Sequence, residues 1–286
     1  MMSLSSYKEK FHKSLDPIYG SNEVRSLFGL CCEHYLFLNG TDQLLNNERI
    51  LTSTELDQLN NVLLQLELHR PIQYEMGFAI FCGLKILVNQ SVLIPRQETE
   101  ELVALILNDC LEDRTYQIAD LCTGSGCIAL ALKSKLKNSN ILALDVSKKA
   151  IDLAIQNSRE LDLEVNFQLK DVLDEGYLGE NMFDVIVSNP PYVLESEKSF
   201  MSKNVLNYEP HLALFVPDED PLKFYNAIAR SAFVALKKGG TLYFEINEAK
   251  SELMLELLAN AGFEEAVLKN DLNGKTRLVK CIKPDA

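Results

Sequence analysis

The sequence predicts an α/β protein: a doubly wound, mostly parallel seven-stranded sheet with a small N-terminal helical domain joined to it by a β-hairpin. Three observations carry that expectation. From Glu98 onward, short runs rich in Val and Ile alternate with helical stretches, the pattern of strand–helix–strand units. The run Gln117-Ile118-Ala119-Asp120-Leu121 passes through a glycine-containing turn into an apolar helix, a unit that doubly wound folds use as a ligand cradle. Before residue 70, apolar residues recur at three- and four-residue spacing instead.

Residues 1–70 read as a helical bundle. Asp42-Gln43-Leu44-Leu45 belongs to one helix and Leu56, Leu59, Val62, Leu63 and Leu66 to the next, with Ser53 or Thr54 as its N-cap. His34 and His69 read as packing or surface residues. Pro71 breaks the pattern, and residues 71–95 alternate around Cys82-Gly83, which signals a hairpin linking the two domains. Residues 96–286 form the larger domain. It opens on helix Glu98–Leu111, strand Gln117–Leu121 and helix Ile128–Leu136. Strands Ile141–Leu144, Val165–Leu169 and Phe183–Ser188 follow. Residues 193–220 carry no regular pattern, and connections of that length tend to be lids or binding loops. Asp220 is placed to cap a helix from Pro221 to Lys237. Strands Thr241–Ile246 and Glu265–Lys269 flank helix Lys250–Ala261, and Arg277–Ile282 closes a hairpin after Asn273-Gly274.

Composition narrows the function classes. Acidic residues outnumber basic ones 41 to 28, a net charge of −13, which weighs against extended binding to a phosphate backbone. Seven cysteines without a Cys-x-x-Cys pair and four scattered histidines speak against a zinc site. They suit reduced thiols in the cytosol. Met1 to Lys13 has no signal-peptide core and no stretch reaches membrane-spanning length, so a cytoplasmic protein is expected.

The chemistry concentrates at strand ends. In Cys122-Thr123-Gly124-Ser125-Gly126, the glycines permit positive φ and close backbone approach, and the helix start beyond them offers free N–H groups. Asp145 ends the next strand, about twenty residues on, where a carboxylate can accept both ribose hydroxyls. Ala129 stands where a third glycine would complete the dinucleotide fingerprint, so an adenosine-bearing cofactor other than a nicotinamide is favoured. Asp171 is placed either to take an adenine amine or to cap a turn.

Asn189-Pro190-Pro191-Tyr192 follows the buried run Phe183–Ser188. Each proline fixes φ and lacks an N–H, and each holds the residue before it extended. The segment is therefore stiff, and it presents the Asn189 side-chain amide and the Pro190 carbonyl to a planar NH2 group, with Tyr192 as a flat wall. Such an NH2 belongs either to a carboxamide or to adenine.

With these residues in view, the chain resembles the class I S-adenosylmethionine-dependent methyltransferases, and within them the release-factor glutamine methyltransferase family. The resemblance rests on Leu93-Ile94-Pro95-Arg96 with Glu98-Thr99-Glu100, on Asp120-Leu121 with Thr123-Gly124-Ser125-Gly126, on Asp145, and on Asn189-Pro190-Pro191-Tyr192. Tyr208-Glu209-Pro210, Gly239-Gly240 with Glu245-Ile246, and Asp271-Leu272 with Gly274 and Arg277 extend it. Gln97 and Cys122 depart from the family's usual proline and glycine; a negative φ at Cys122 is expected to accommodate its side chain.

The resemblance implies S-adenosylmethionine as cofactor, held by Cys122, Thr123, Gly124, Ser125, Gly126, Asp145, Asp171, Val172 and Asn189. It implies Asn189, Pro190 and Tyr192 as the catalytic set, with Pro191 and Arg96 also on the substrate. The acceptor it implies is the glutamine of the Gly-Gly-Gln loop of class 1 peptide chain release factors, docked by the helical domain. A ribosomal-protein glutamine and a flipped-out adenine of nucleic acid are the competing acceptors. A cofactor-binding protein without turnover is the competing non-enzyme.

Overall fold

A computed structural model describes residues 2–111 and 113–285. They form two compact units, Met1–Gly77 with Ser202–Tyr208, and Phe78–Met201 with Glu209–Ala286.

The first unit is helical because its apolar residues fall on one face of each long helix. In α1 (Leu4–Tyr19) these are Leu4, Tyr7, Phe11 and Leu15. They pack with Val24, Phe28 and Cys31 of α2 (Ser21–Leu36), ahead of the short α3 (Gly40–Leu45), and with Leu59, Val62 and Leu66 of α4 (Ser53–Glu67). Leu44 and Leu45 of α3 stay exposed. The N-cap of α4 is Thr52, not Ser53 or Thr54. Only Thr52 stands three residues before Glu55, so hydroxyl and carboxylate exchange bonds with each other's backbone N–H. Ile72–Met76, expected to alternate as part of the hairpin, is a short helix, α5. Pro71 stands at its N-cap and Gly77, left-handed, at its C-cap.

The second unit opens on a hairpin, β1 (Phe78–Phe81) and β2 (Leu84–Leu87). Its two turn residues, Cys82 and Gly83, both have positive φ, which matches the strand twist. Helix α6 (Gln97–Asp109) leads to β3 (Gln117–Leu121), α7 (Cys127–Lys135), β4 (Asn140–Asp145), α8 (Lys148–Glu160), β5 (Asn166–Leu169) and β6 (Phe183–Ser188). Within 193–220 the chain is less irregular than expected. It forms β7 (Val193–Leu194), α9 (Lys203–Tyr208), which belongs to the first unit, and β8 (Phe215–Val216). Then come α10 (Lys223–Ala235), β9 (Leu236–Glu245), α11 (Ser251–Asn260), β10 (Glu264–Asn270) and β11 (Thr276–Ile282).

The expected seven-stranded sheet is present, in the order β10-β11-β9-β6-β3-β4-β5. Pairs β6–β9, β3–β6, β3–β4 and β4–β5 are parallel; β9–β11 and β10–β11 are antiparallel. Helix α10 is shorter at both ends than the sequence suggests. No side chain caps it, because Asp220 offers its main-chain carbonyl to the Lys223 N–H. At the other end buried Leu236 turns to ψ 142° and pairs with Phe183, so the sheet claims it. Central strands are buried on both faces, with Leu121, Ile186, Ala229, Leu242 and Phe244 in one core. Burying each large apolar side chain there contributes about 1.5–3 kcal/mol.

Candidate active site

Strand register assembles the site. Leu121 of β3 pairs with Leu144 of β4 and with Ser188 of β6, and Ser188 pairs with Phe244 of β9. The next residues, Cys122, Asp145, Asn189 and Glu245, therefore form a row along the carboxyl edge of four adjacent strands. The chain leaves β3 for β4 on one side and returns to β6 on the other. That reversal opens the crevice where doubly wound sheets bind ligands. The Ser188 hydroxyl donates to the Leu121 carbonyl at 2.7 Å and fastens the crevice floor.

On the β4 side, Asp145 Oδ2 accepts the Gly124 N–H at 2.8 Å and Oδ1 accepts the Ser147 N–H at 2.8 Å. Burial raises its pKa, and these backbone bonds pull it back. Asp120 Oδ2 accepts the Thr123 hydroxyl at 2.5 Å and the Ala129 N–H at 3.2 Å, tying the turn to the first turn of α7. Asp120 Oδ1 is buried without a partner, and burial raises this carboxyl to about 7. Gly126, at φ 80°, leaves little room for a side chain: a Cβ would lie 3.1 Å from Phe167 and 3.2 Å from Ala154. Ser125 is buried, and its carbonyl accepts the Asn157 side-chain amide at 2.9 Å.

Cys122 departs from expectation. Its φ is +61°, left-handed rather than negative, because the strand must turn at once into the glycine loop. A side chain in that conformation costs about 1–2 kcal/mol, which explains why glycine suits the position. Burial, then the nearby Asp145 carboxylate, pushes its thiol well up, so it is held neutral.

Asp171 lies beyond β5 and its Oδ1 accepts the Leu173 N–H at 2.9 Å, an Asx turn. Val172 is buried in the core. The Lys170 N–H donates to the Asp145 carbonyl at 3.0 Å, so this turn stands beside the β4 end.

On the β6 side, Asn189 Nδ2 donates to Thr99 Oγ1 at 3.3 Å, and the Thr99 hydroxyl donates to Glu245 Oε2 at 2.6 Å. The Tyr192 hydroxyl donates to Glu245 Oε1 at 3.1 Å. Pro190 and Pro191 are buried between Asn189 and Tyr192. Burial raises the Glu245 carboxyl, while Thr99 and Tyr192 lower it; burial and Glu245 push the Tyr192 phenol well up. Arg96 pairs with Glu209 at 2.6 Å, and the same carboxylate accepts the Ile94 N–H at 3.1 Å, so Glu209 clasps the loop before α6.

Sequence reasoning gave Thr99 and Glu245 no role. The available signal was a carboxylate one residue past the apolar run Leu242-Tyr243-Phe244, in register with Asn189.

The sheet order and the crevice are those of a doubly wound ligand-binding fold. The Methyltransferase small domain matches residues 97–208. A solved methyltransferase from Pyrococcus furiosus shares the fold, with a TM-score of 0.51, 18% identity, and 79% of this chain and 99% of that one covered. At higher identity, the release factor glutamine methyltransferases of Bacteroides thetaiotaomicron and Flavobacterium psychrophilum are each 41% identical. They cover 93% and 98% of this chain and 95% and 99% of their own lengths. The chain belongs to the release factor glutamine methyltransferase family.

The cradle fits an adenosine-bearing cofactor. The Asp145 oxygens accept backbone N–H groups and keep lone-pair capacity for ribose hydroxyls. A Cβ built on Gly124, at φ 56°, meets nothing within 4 Å, so the backbone there is open to close approach. Among the described residues, no group of His, Cys, Asp and Glu is placed to hold a metal ion, and no helix is long and apolar enough to cross a membrane.

Proposed function

We propose that this protein transfers a methyl group from S-adenosylmethionine to the side-chain amide nitrogen of the Gly-Gly-Gln glutamine in class 1 peptide chain release factors. The observation that carries the reading is the row of Asn189, Cys122 and Asp145 across one strand edge. That row supports reading the Asn189–Tyr192 segment as the amide-binding side of a crevice whose other side is suited to adenosine. Family membership supplies the acceptor class: relatives over almost the whole chain are release factor glutamine methyltransferases.

The bound cofactor supplies an electrophilic methyl on a positively charged sulfur. Because the departing thioether is neutral, no general acid is needed. The difficulty lies in the acceptor, whose nitrogen lone pair is shared with its carbonyl. Asn189 Oδ1 and the Pro190 carbonyl hold the two NH2 hydrogens, which orients the nitrogen and stabilises the positive charge that grows on it. The nitrogen held by Asn189 and Pro190 would receive the cofactor's methyl, and the carbon–sulfur electron pair would stay with the neutral thioether. The extra proton then leaves the amide for solvent. Tyr192 forms the wall against the planar amide, Pro191 stiffens the segment, and Arg96 holds the loop over the substrate. Thr123, Ser125 and Gly126 shape the cradle, Asp145 takes the ribose, and Asp171 with Val172 borders the adenine. The helical unit docks the release factor in the cytoplasm, where translation ends.

The test is incubation with labelled S-adenosylmethionine and, separately, a release factor, ribosomal protein and unmethylated DNA. Label on the release factor that disappears when its Gly-Gly-Gln glutamine is replaced supports the reading; label on DNA alone ends it.

A further inference from the structure

Nothing in its shape tells the two ends of the Asn189 amide apart, yet only the oxygen end can hold an NH2 group. The surrounding hydrogen bonds decide between them. Glu245 is 2% exposed, and its two oxygens accept the Thr99 and Tyr192 hydroxyls. The Thr99 hydroxyl therefore commits its one hydrogen to Glu245 Oε2, over 2.6 Å, and its oxygen is left as an acceptor. The Asn189 atom facing that oxygen at 3.3 Å must be the nitrogen. Oδ1 is then at the far end of the amide, turned away from Thr99. The other Glu245 oxygen takes the Tyr192 hydroxyl, and the Glu245 carbonyl takes the Tyr225 hydroxyl at 2.9 Å, which pins the end of β9. One buried carboxylate thus fixes both side chains that flank the two prolines.

We propose that Thr99 and Glu245 are positioning residues that set which end of the Asn189 amide faces the acceptor nitrogen. The proposal rests on the functional reading above. It adds two residues that touch neither cofactor nor reacting atoms and act through Asn189. Thr99 reaches the site from the first turn of α6 and Glu245 from the end of β9, so the polarity of a substrate-binding amide is built into the packing of helix on sheet.

The test compares wild type with Thr99→Val, which keeps shape and loses the hydroxyl, and Thr99→Ser, which restores it. Hydrogen exchange of the Asn189 side-chain NH2, followed by NMR in cofactor-free protein, reads the polarity directly. Exchange is expected to be about tenfold faster in Thr99→Val, one lost hydrogen bond, and near wild type in Thr99→Ser. With release factor as acceptor, kcat should fall about tenfold or more in Thr99→Val, with cofactor Kd little changed, and recover in Thr99→Ser. Wild-type exchange and wild-type kcat in Thr99→Val would overturn the proposal. Should the valine variant not fold, the wild-type spectrum still decides, because an NH2 exchanging at the solvent rate has no acceptor. Absence of wild-type transfer to the release factor would remove the functional reading alone, leaving the exchange arm to judge the relay.

Discussion

At the scale of single residues, two side chains at strand ends carry opposite consequences. In the proposed mechanism Asn189 offers a neutral acceptor that orients an amide nitrogen, and a preorganised group of this kind is worth about a hundredfold to a thousandfold in rate. Asn189→Ala should lower kcat by that order and leave cofactor Kd within a few-fold; a full-rate alanine variant, measured by single-turnover transfer, would remove the mechanism. Cys122 instead bears a conformational cost. In a helix or strand interior glycine is less stable than alanine, but at φ +61° the order reverses. Cys122→Gly should therefore be more stable than Cys122→Ala by about 1 kcal/mol, read as the urea midpoints of the two variants. Alanine above glycine would contradict the left-handed assignment.

At the scale of elements, the unit formed by β3, the glycine turn and α7 is held by buried polar groups that titrate and by one asparagine. Asp120 is raised from 3.8 to about 7, chiefly by burial. Between those values the unfolded chain has released this proton while the folded chain keeps it. Folding therefore binds protons, and this contribution to stability falls as pH rises through the window, then levels above about 7. Asp120→Asn removes the titration. Its stability relative to wild type, from urea melts at about pH 5, 6 and 7.5, should improve as pH rises, and a difference independent of pH would refute the account. Asn157 of α8 joins two other pieces. Its Oδ1 accepts the Leu87 N–H at 2.7 Å, and its Nδ2 donates to the Leu87 carbonyl at 3.1 Å and to the Ser125 carbonyl. Asn157→Leu strands part-buried backbone groups in the hairpin and a buried carbonyl in the cradle. It should cost about 2–4 kcal/mol in denaturant unfolding and weaken cofactor binding together. Normal cofactor Kd in a destabilised variant would separate the two effects.

At the scale of the whole molecule, what the sequence made legible is what local pattern determines. The strand–turn–helix unit around Gly124, the carboxylate at Asp145 and the stiff Asn189–Tyr192 segment each sit within a few residues of the breakers that mark them. What escaped depends on pairing between distant segments. Glu245 meets Tyr192 across 53 positions and Thr99 across 146, so neither contact has a local signature. The Thr52 cap was missed because it depends on the reply from Glu55, and the start of β9 because Leu236 answers to Phe183 rather than to its own helix. Charge acts at this scale too. With a net of −13, transfer to a protein acceptor fits the molecule better than transfer along a polyanion. The most direct measurement is tandem mass spectrometry of a release factor after incubation with S-adenosylmethionine and this protein. One added methyl is expected on the side-chain nitrogen of the Gly-Gly-Gln glutamine, formed about a hundredfold to a thousandfold more slowly with Asn189→Ala. A methyl on any other residue, or one formed at the wild-type rate by the alanine variant, would contradict the mechanism.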